Sequence, residues 1–140
     1  MTLRAVCDAS AVVAKLLDSG PDGRWASGAM IGAELFAPTL LPYECSNIIR
    51  RHELSGAVSA DQAAQAHADL LDLAVALWPY ELLGNRVWEL RYNLSCYDAA
   101  YVALAEALTA PLLTLDRRIR GAPALECVVL EPPSLSLIHI

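Results

Sequence analysis

The chain has 140 residues, enough for one domain with a real core, and 56% of them are hydrophobic while 19% are charged. This composition excludes a disordered protein, and the net charge of −6 argues against a general basic coat for nucleic acid. The apolar run over residues 5–17 is interrupted by Asp8 and Lys15, and no stretch reaches the roughly 18 apolar residues of a membrane span. We therefore expect a cytoplasmic protein without a signal peptide or membrane segment.

Short apolar runs alternate with longer amphipathic ones in the first half of the chain. Residues 3–7 are predicted as a strand and residues 10–18 as a helix, followed by a turn. A short helix over residues 24–31 and a strand over residues 34–37 come next. Pro42 is typical of a first helical turn and predicts a helix over residues 42–54. Ser59 and Gln62 have the spacing of a capping box, which opens a helix ending near residue 73.

The same alternation continues in the second half. The predicted elements are a strand (75–78), two helices (81–92 and 96–108), a strand (112–115), a helical turn (117–120) and a strand (127–130). Strands separated by helices indicate an α/β fold, a parallel sheet with helices on both faces. Residues 1–132 are predicted as one domain. Residues 133–140 are interpreted as a tail without function, either a loose end or a leftover of the expression vector.

The cysteines and two of the three tryptophans are predicted to be structural. Trp78 and Trp88 are expected in the core rather than stacked on bases. No cysteine pair or histidine spacing completes a zinc site, and apolar neighbours predict buried thiols at every cysteine. These cysteines are Cys7, Cys45, Cys96 and Cys127.

Four carboxylates occupy positions that suit chemistry. Asp8 and Asp116 each follow an apolar strand, and ligands of open parallel sheets bind beyond the carboxyl ends of strands. Glu44 and Asp98 lie near the starts of two helices with otherwise apolar faces. Three of the acids also have plainer explanations: an N-cap for Asp116, helix capping near Asp98, and a solvent-facing first turn for Glu44. Asp8, at the end of an apolar strand, is the hardest to dismiss in this way.

If the four carboxylates converge, they need a cation. Two carboxylates about 5 Å apart repel by roughly 3 kcal/mol at an effective dielectric of 20. Oxygen ligands favour Mg²⁺ or Mn²⁺ over zinc, and a water held by such an ion can attack a phosphodiester. The pattern therefore indicates metal-assisted hydrolysis of a phosphate ester.

The residues around these acids carry a family resemblance. A strand ends in Asp8 with Ser10 two places on, and a helix starts with Pro42, Glu44 and Asn47. The stretch Tyr97-Asp98-Ala99-Ala100 opens an alanine-rich helix, and Thr114 precedes Asp116 before a short basic turn. In these features, over about residues 6–130, the chain resembles the PIN-domain ribonucleases, most closely the VapC-type toxins of bacterial toxin–antitoxin pairs.

The resemblance implies a three-layer α/β/α fold and endonucleolytic cleavage of RNA with Mg²⁺ or Mn²⁺. It also implies a homodimer and inhibition by a cognate VapB-type antitoxin. As a hypothesis, Asp8, Glu44 and Asp98 hold the catalytic metal, and Asp116 completes the pocket or holds a second ion. Supporting roles for Ser10, Asn47 and Thr114 compete with ordinary capping, strand and surface positions.

Half of the ten basic residues lie close in sequence to Glu44 or Asp116. Positive charge near the acids would compensate locally for the negative net charge of the chain. They could form a rim that contacts RNA phosphates, or simply solvated helix ends at a favourable dipole position. This group consists of Arg50, Arg51, Arg117, Arg118 and Arg120.

Two other functions remain open from the sequence. An aspartate-nucleophile phosphatase also begins with a strand ending in Asp, but it usually has a second Asp where this chain has Ser10. A non-catalytic module that binds a partner helix in an apolar groove is the other alternative.

Overall fold

A computed structural model describes residues 2–133, in which helices separate the successive strands along the chain. The predicted tail lies outside the described residues, apart from Pro133. The elements, in chain order, are β1 (Leu3–Cys7), α1 (Ala9–Leu17), α2 (Pro21–Met30), β2 (Ala33–Pro38), α3 (Leu41–Leu54), α4 (Ala60–Asp72), β3 (Val75–Trp78), a 3-10 turn (Tyr80–Leu82), α5 (Gly84–Glu89), α6 (Cys96–Leu108), β4 (Leu112–Leu113), α7 (Arg117–Arg120) and β5 (Val129–Leu130).

The five strands form one sheet in the order β3-β2-β1-β4-β5, and every neighbouring pair is parallel. β1 occupies the centre, where Val6 is in register with Phe36 of β2 and Leu112 of β4. Ala5, Val6 and Cys7 are all buried, as expected for a central strand covered on both faces. The predicted parallel α/β fold is confirmed.

The strand order explains why the helices form two layers. From β1 the chain moves outward to β2 and β3 through α1–α4, then returns past β1 to β4 through α5 and α6. Right-handed crossovers that run in opposite directions place their helices on opposite faces of the sheet. The contacts agree: α1 packs against α2, α3 and α4, whereas α6 packs against α5 and the sheet.

Interactions between residues that are neighbours in sequence set several of the helix boundaries. The capping box at Ser59 and Gln62 is present with both hydrogen bonds. α2 begins at Pro21, three residues before the predicted start, because Pro21 fits the first helical turn. Gly23 in that turn is obligatory, since a Cβ there would lie 1.6 Å from the carbonyl oxygen of Asp18.

The predicted helix over residues 81–92 is wrong in extent. A 3-10 turn and the short α5 replace it. At the start of α5 the Tyr80 ring packs where a Cβ on Gly84 would lie, and near its end the Arg91 guanidinium donates a hydrogen bond to the Trp88 carbonyl oxygen. The buried side chains on this segment are Leu83, Val87 and Leu90.

Three other sequence expectations are corrected. Trp88 is 60% exposed, because it falls one position outside the buried stripe of its helix. Cys96 is exposed and Cys127 partly so, and only Cys7 and Cys45 are buried as predicted. β4 ends at Leu113 rather than residue 115, since the Thr114 hydroxyl accepts a hydrogen bond from the Asp116 N–H and turns the chain. Among residues 2–133 no helix is long and apolar enough to cross a bilayer.

Candidate active site

At the carboxyl ends of β1 and β4, the connections between strands change direction across the sheet. β1 leads to β2 on one side while β4 leads to β5 on the other, so their connections diverge and leave a crevice beyond the strands. Asp8 follows β1 directly, and its N–H donates to the Leu113 carbonyl of β4 at 3.2 Å. Thr114 follows β4. Both side chains therefore lie where open parallel sheets bind ligands.

Asp8 is 6% exposed, and both of its carboxylate oxygens accept hydrogen bonds. Oδ1 accepts from the Ser10 hydroxyl at 2.6 Å and from the Ala11 N–H at 3.0 Å, so Asp8 also caps α1. Oδ2 accepts from the Thr114 hydroxyl. Burial raises the pKa of Asp8, these hydrogen bonds offset part of the rise, and the negative charge of Asp98 adds to it.

Ser10 and Thr114 join the start of α1 to the end of β4. The Ser10 hydroxyl oxygen accepts from the Leu115 N–H at 2.9 Å, and the Thr114 hydroxyl oxygen accepts from the Asp116 N–H at 2.9 Å. Each hydroxyl thus accepts from the β4 side and donates to Asp8. The structure thus brings both predicted supporting hydroxyls into contact with Asp8.

Glu44 lies in the first turn of α3, half-buried, and its Oε1 accepts from the Tyr101 hydroxyl of α6 at 2.5 Å. Burial raises the pKa of Glu44, the hydrogen bond from Tyr101 lowers it, and the charges of Asp98 and Asp8 raise it further. Tyr101 is 2% exposed and was missed as a site residue. The available signal was chemical: a phenol on a buried helical face needs a hydrogen-bond partner.

Asp98 lies in the first turn of α6, where its N–H donates to the Ser95 hydroxyl at 3.1 Å. Burial and the negative charge of Asp116 raise the pKa of Asp98, while Ser95 and the cation Arg118 lower it. The helix-capping explanation considered for this segment is therefore present in the structure. It coexists with the charge interaction between Asp98 and Asp116.

Asp116 differs from the other three acids because it has a cationic partner. Arg118 donates to Oδ1 at 3.0 Å and to Oδ2 at 2.7 Å, and its N–H makes the N-cap hydrogen bond of α7. These contacts with Arg118 lower the pKa of Asp116. The carboxylate is both an N-cap and half of an ion pair, so a metal at this position would compete with Arg118.

The four acids share one electrostatic environment. The pKa of Glu44 responds to Asp8 and Asp98, and that of Asp98 responds to Asp116, although the residues come from four separate segments. Within residues 2–133, however, no three acidic, histidine or cysteine side chains are gathered closely enough to hold an ion together. The donor chemistry fits a hard divalent cation, which would offset both the burial of these charges and the repulsion that adds to their raised pKa values. Because Mg²⁺ keeps several waters, a carboxylate can hold it without direct contact.

The predicted polar and basic residues are spread around this centre. Asn47 shares an open cavity of about 250 Å³ with Glu44, and Arg51 lines a second cavity together with Ser10. Arg117 lines a third cavity beside Trp25. Arg50 is exposed on α3.

Arg118 and Arg120 are engaged with carboxylates, Asp116 and Glu131 respectively. Two of the five arginines are therefore held in ion pairs, while Arg51 and Arg117 line two different cavities.

Comparison with known proteins identifies the family. Residues 5–125 match the PIN domain. The chain belongs to the PIN-domain family. Ribonuclease VapC1 of Mycobacterium tuberculosis is 40% identical to it over 125 residues, which cover 89% of this chain and 94% of the relative. The resemblance noted in the sequence is thereby confirmed.

Solved structures agree on the fold. VapC20 of Mycobacterium tuberculosis, described as a sarcin-ricin loop cleaving toxin, superposes with a TM-score of 0.63 at 16% identity and covers 84% of this chain and 93% of that one. VapBC-5 of the same organism, a member of the VapBC family of toxin–antitoxin systems, gives 0.57 at 19% identity, with coverage of 94% and 98%. The PIN fold is common to all three chains.

Proposed function

We propose that this chain is a metal-dependent endoribonuclease and the toxin of a type II toxin–antitoxin pair. One observation carries the proposal: hydrogen bonds join the acid-bearing segments in pairs at the crevice beyond β1 and β4. Thr114, two residues before Asp116, donates to Asp8, and Tyr101, one turn after Asp98 on α6, donates to Glu44. The 40% identity to a VapC ribonuclease over most of both chains supports RNA as the substrate.

Mg²⁺ or Mn²⁺ is the cation that this oxygen-only donor set suits best. PIN-domain VapC nucleases are in general metal-dependent. Asp8, Glu44 and Asp98 would hold the ion, and Asp116 would complete the pocket or hold a second, weaker ion after releasing Arg118. When bound, the ion supplies positive charge to the phosphodiester and acidifies a water molecule.

The remaining residues of the site orient these carboxylates and favour their charged forms. Ser10 and Thr114 donate to opposite oxygens of Asp8, which fixes the carboxylate plane and favours its charged form. Tyr101 does the same for one oxygen of Glu44. Asn47 and Arg50 offer polar contacts to the RNA strand on the exposed side of α3.

RNA cleavage by wild-type protein and by Asp8→Asn tests the proposal. Loss of the Asp8 charge should lower the cleavage rate about 100-fold or more, since Asn cannot replace a carboxylate as a cation ligand. Asp72→Asn removes an equal charge from the exposed end of α4 and should cleave like the wild type. If wild type and Asp8→Asn are equally inactive while a partner still binds, the chain is a binding module. A phosphorylated Asp8 after incubation with a small phosphate ester would instead indicate a phosphatase.

A VapB-type antitoxin and a second copy of the chain are the partners we propose. An apolar cavity between α3, α4 and β3 supports an interface, because Leu71 and Leu77 on its rim are 74% and 41% exposed. Sedimentation equilibrium should give a dimer for the free protein, and coexpression with the cognate antitoxin should suppress RNA cleavage. A monomer at micromolar concentration would contradict the homodimer.

A further inference from the structure

An open cavity between the starts of α3 and α6 adjoins the candidate active site. It has a volume of about 250 Å³ and is lined by Leu40, Tyr43, Glu44, Asn47 and Tyr97. Glu44 lines this cavity, so an occupant would lie beside one of the carboxylates that we propose to hold the ion. Metal binding by the carboxylates does not require the two aromatic rings that border this cavity.

The two tyrosines lie close in sequence to the residues of the Tyr101–Glu44 contact. The hydrogen bond from Tyr101 to Glu44 ties α6 to α3. Tyr97 precedes Tyr101 by four residues, one helical turn, and Tyr43 directly precedes Glu44. Both rings are nevertheless exposed, Tyr43 by 81% and Tyr97 by 67% of their surface. Large aromatic side chains exposed beside a cavity at an active site indicate a binding surface rather than a core.

We propose that this cavity receives one unpaired base of the RNA strand, next to the phosphate that is cleaved. The base stacks on Tyr97 and Tyr43, and the Asn47 amide, which can both donate and accept, contacts the base edge. This inference rests on the proposed ribonuclease function and adds a subsite in which one base is held outside the stack. The cavity is smaller than the roughly 300–1,000 Å³ of drug-sized ligand sites, which suits a single base.

One face of α3 extends from this cavity towards Arg50. Tyr43, Asn47 and Arg50 follow one another at spacings of four and three residues and so share one helical face. Arg50 is exposed, about 10 Å along the helix axis from Tyr43. A base in the cavity would therefore leave its phosphate chain directed towards a guanidinium, the usual partner of a phosphate.

Binding of a fluorescein-labelled single-stranded RNA of 12 nucleotides to the cleavage-defective Asp8→Asn protein tests the inference. Adding Tyr97→Ala should weaken binding about 5- to 150-fold, the usual range for loss of one stacked base, whereas Tyr97→Phe should retain it. Tyr43→Ala, on a different helix, should weaken binding in the same way and serves if Tyr97→Ala proves unstable. Tyr80→Ala removes a 59% exposed ring outside the cavity and should bind normally.

An abasic scan of the same RNA identifies the base. At one position the abasic RNA should bind the parent protein weakly, and Tyr97→Ala should then cause no further loss, because the two changes remove the same contact. With Asp8 restored, Tyr43→Ala and Tyr97→Ala should raise KM for cleavage and leave kcat nearly unchanged.

Other results would overturn the inference in distinguishable ways. If the wild type cleaves RNA and the tyrosine variants bind and cleave equally well, the stacking site is wrong and the nuclease stands. If the variants change only self-association or antitoxin binding, the cavity belongs to a protein partner. If the wild type cleaves no RNA at all, the proposed function and this inference fail together.

Discussion

Thr114→Val tests the hydroxyl support of Asp8 most directly. The side chain is fully buried, and its hydroxyl donates to Asp8 Oδ2 and accepts from the Asp116 N–H. Valine has nearly the same shape, so little packing is lost. A hydrogen bond to a charged group contributes about 1.5–3 kcal/mol, and the unpartnered Asp116 N–H adds about 1 kcal/mol. The expected loss in the free energy of unfolding is therefore about 3 kcal/mol.

Thermal unfolding with a metal chelator present measures this loss. A domain of 140 residues has an unfolding entropy of about 0.3 kcal/mol/K, so about 3 kcal/mol corresponds to a fall in Tm of about 10 °C. Thr114→Ser keeps the hydroxyl and should recover most of the loss. Thr39→Val, at an exposed position, should stay within about 0.5 kcal/mol of the wild type.

The loss caused by Thr114→Val should also depend on pH. Burial already raises the pKa of Asp8 above its unfolded value of 3.8, and removal of the Thr114 hydrogen bond raises it further. A raised folded-state pKa costs stability as the pH rises from the unfolded value through the folded one. The deficit should therefore be smallest below pH 3.8, where Asp8 is protonated in both states, and largest at neutral pH. A deficit under about 1 kcal/mol at pH 7.5, or one independent of pH, would refute the proposed support of Asp8.

Three further predictions concern the metal, the pH profile and the RNA. Mg²⁺ at about 100 times its Kd should stabilise the wild type by about 2.7 kcal/mol in thermal melts. Asp98→Asn should lose most of that gain because a ligand charge is missing. A wild type whose melting temperature does not respond to metal would contradict the site. Tyr101→Phe removes a hydrogen bond that lowers the pKa of Glu44, so the acid limb of the kcat/KM profile should move to higher pH, and an unchanged profile would contradict the coupling. Arg50→Ala should weaken RNA binding alike for all sequences and reduce the salt slope by about 1, whereas a sequence-dependent loss would assign Arg50 to base contacts.

Predictions from local patterns succeeded where the interaction involved neighbours in the chain. The Ser59–Gln62 capping box spans three residues, so its sequence contains both partners. Alternation of apolar runs identified all five strands and the parallel sheet that joins them. The segment after β3 failed for the opposite reason: the ring of Tyr80 on Gly84 and the capping of α5 by Arg91 depend on how the turn packs.

The sequence by itself determined the element types, the family and the strand-end position of Asp8, because hydrophobic period, caps and turns act over a few residues. Tertiary structure alone decided which groups meet: Thr114 donates to Asp8 across 106 positions, and Tyr101 to Glu44 across 57. It also decided the ionisation of the acids, since a pKa depends on burial and on charges nearby in space. That is why Asp116, bound to Arg118, has a lowered pKa while Asp8, Glu44 and Asp98 have raised ones.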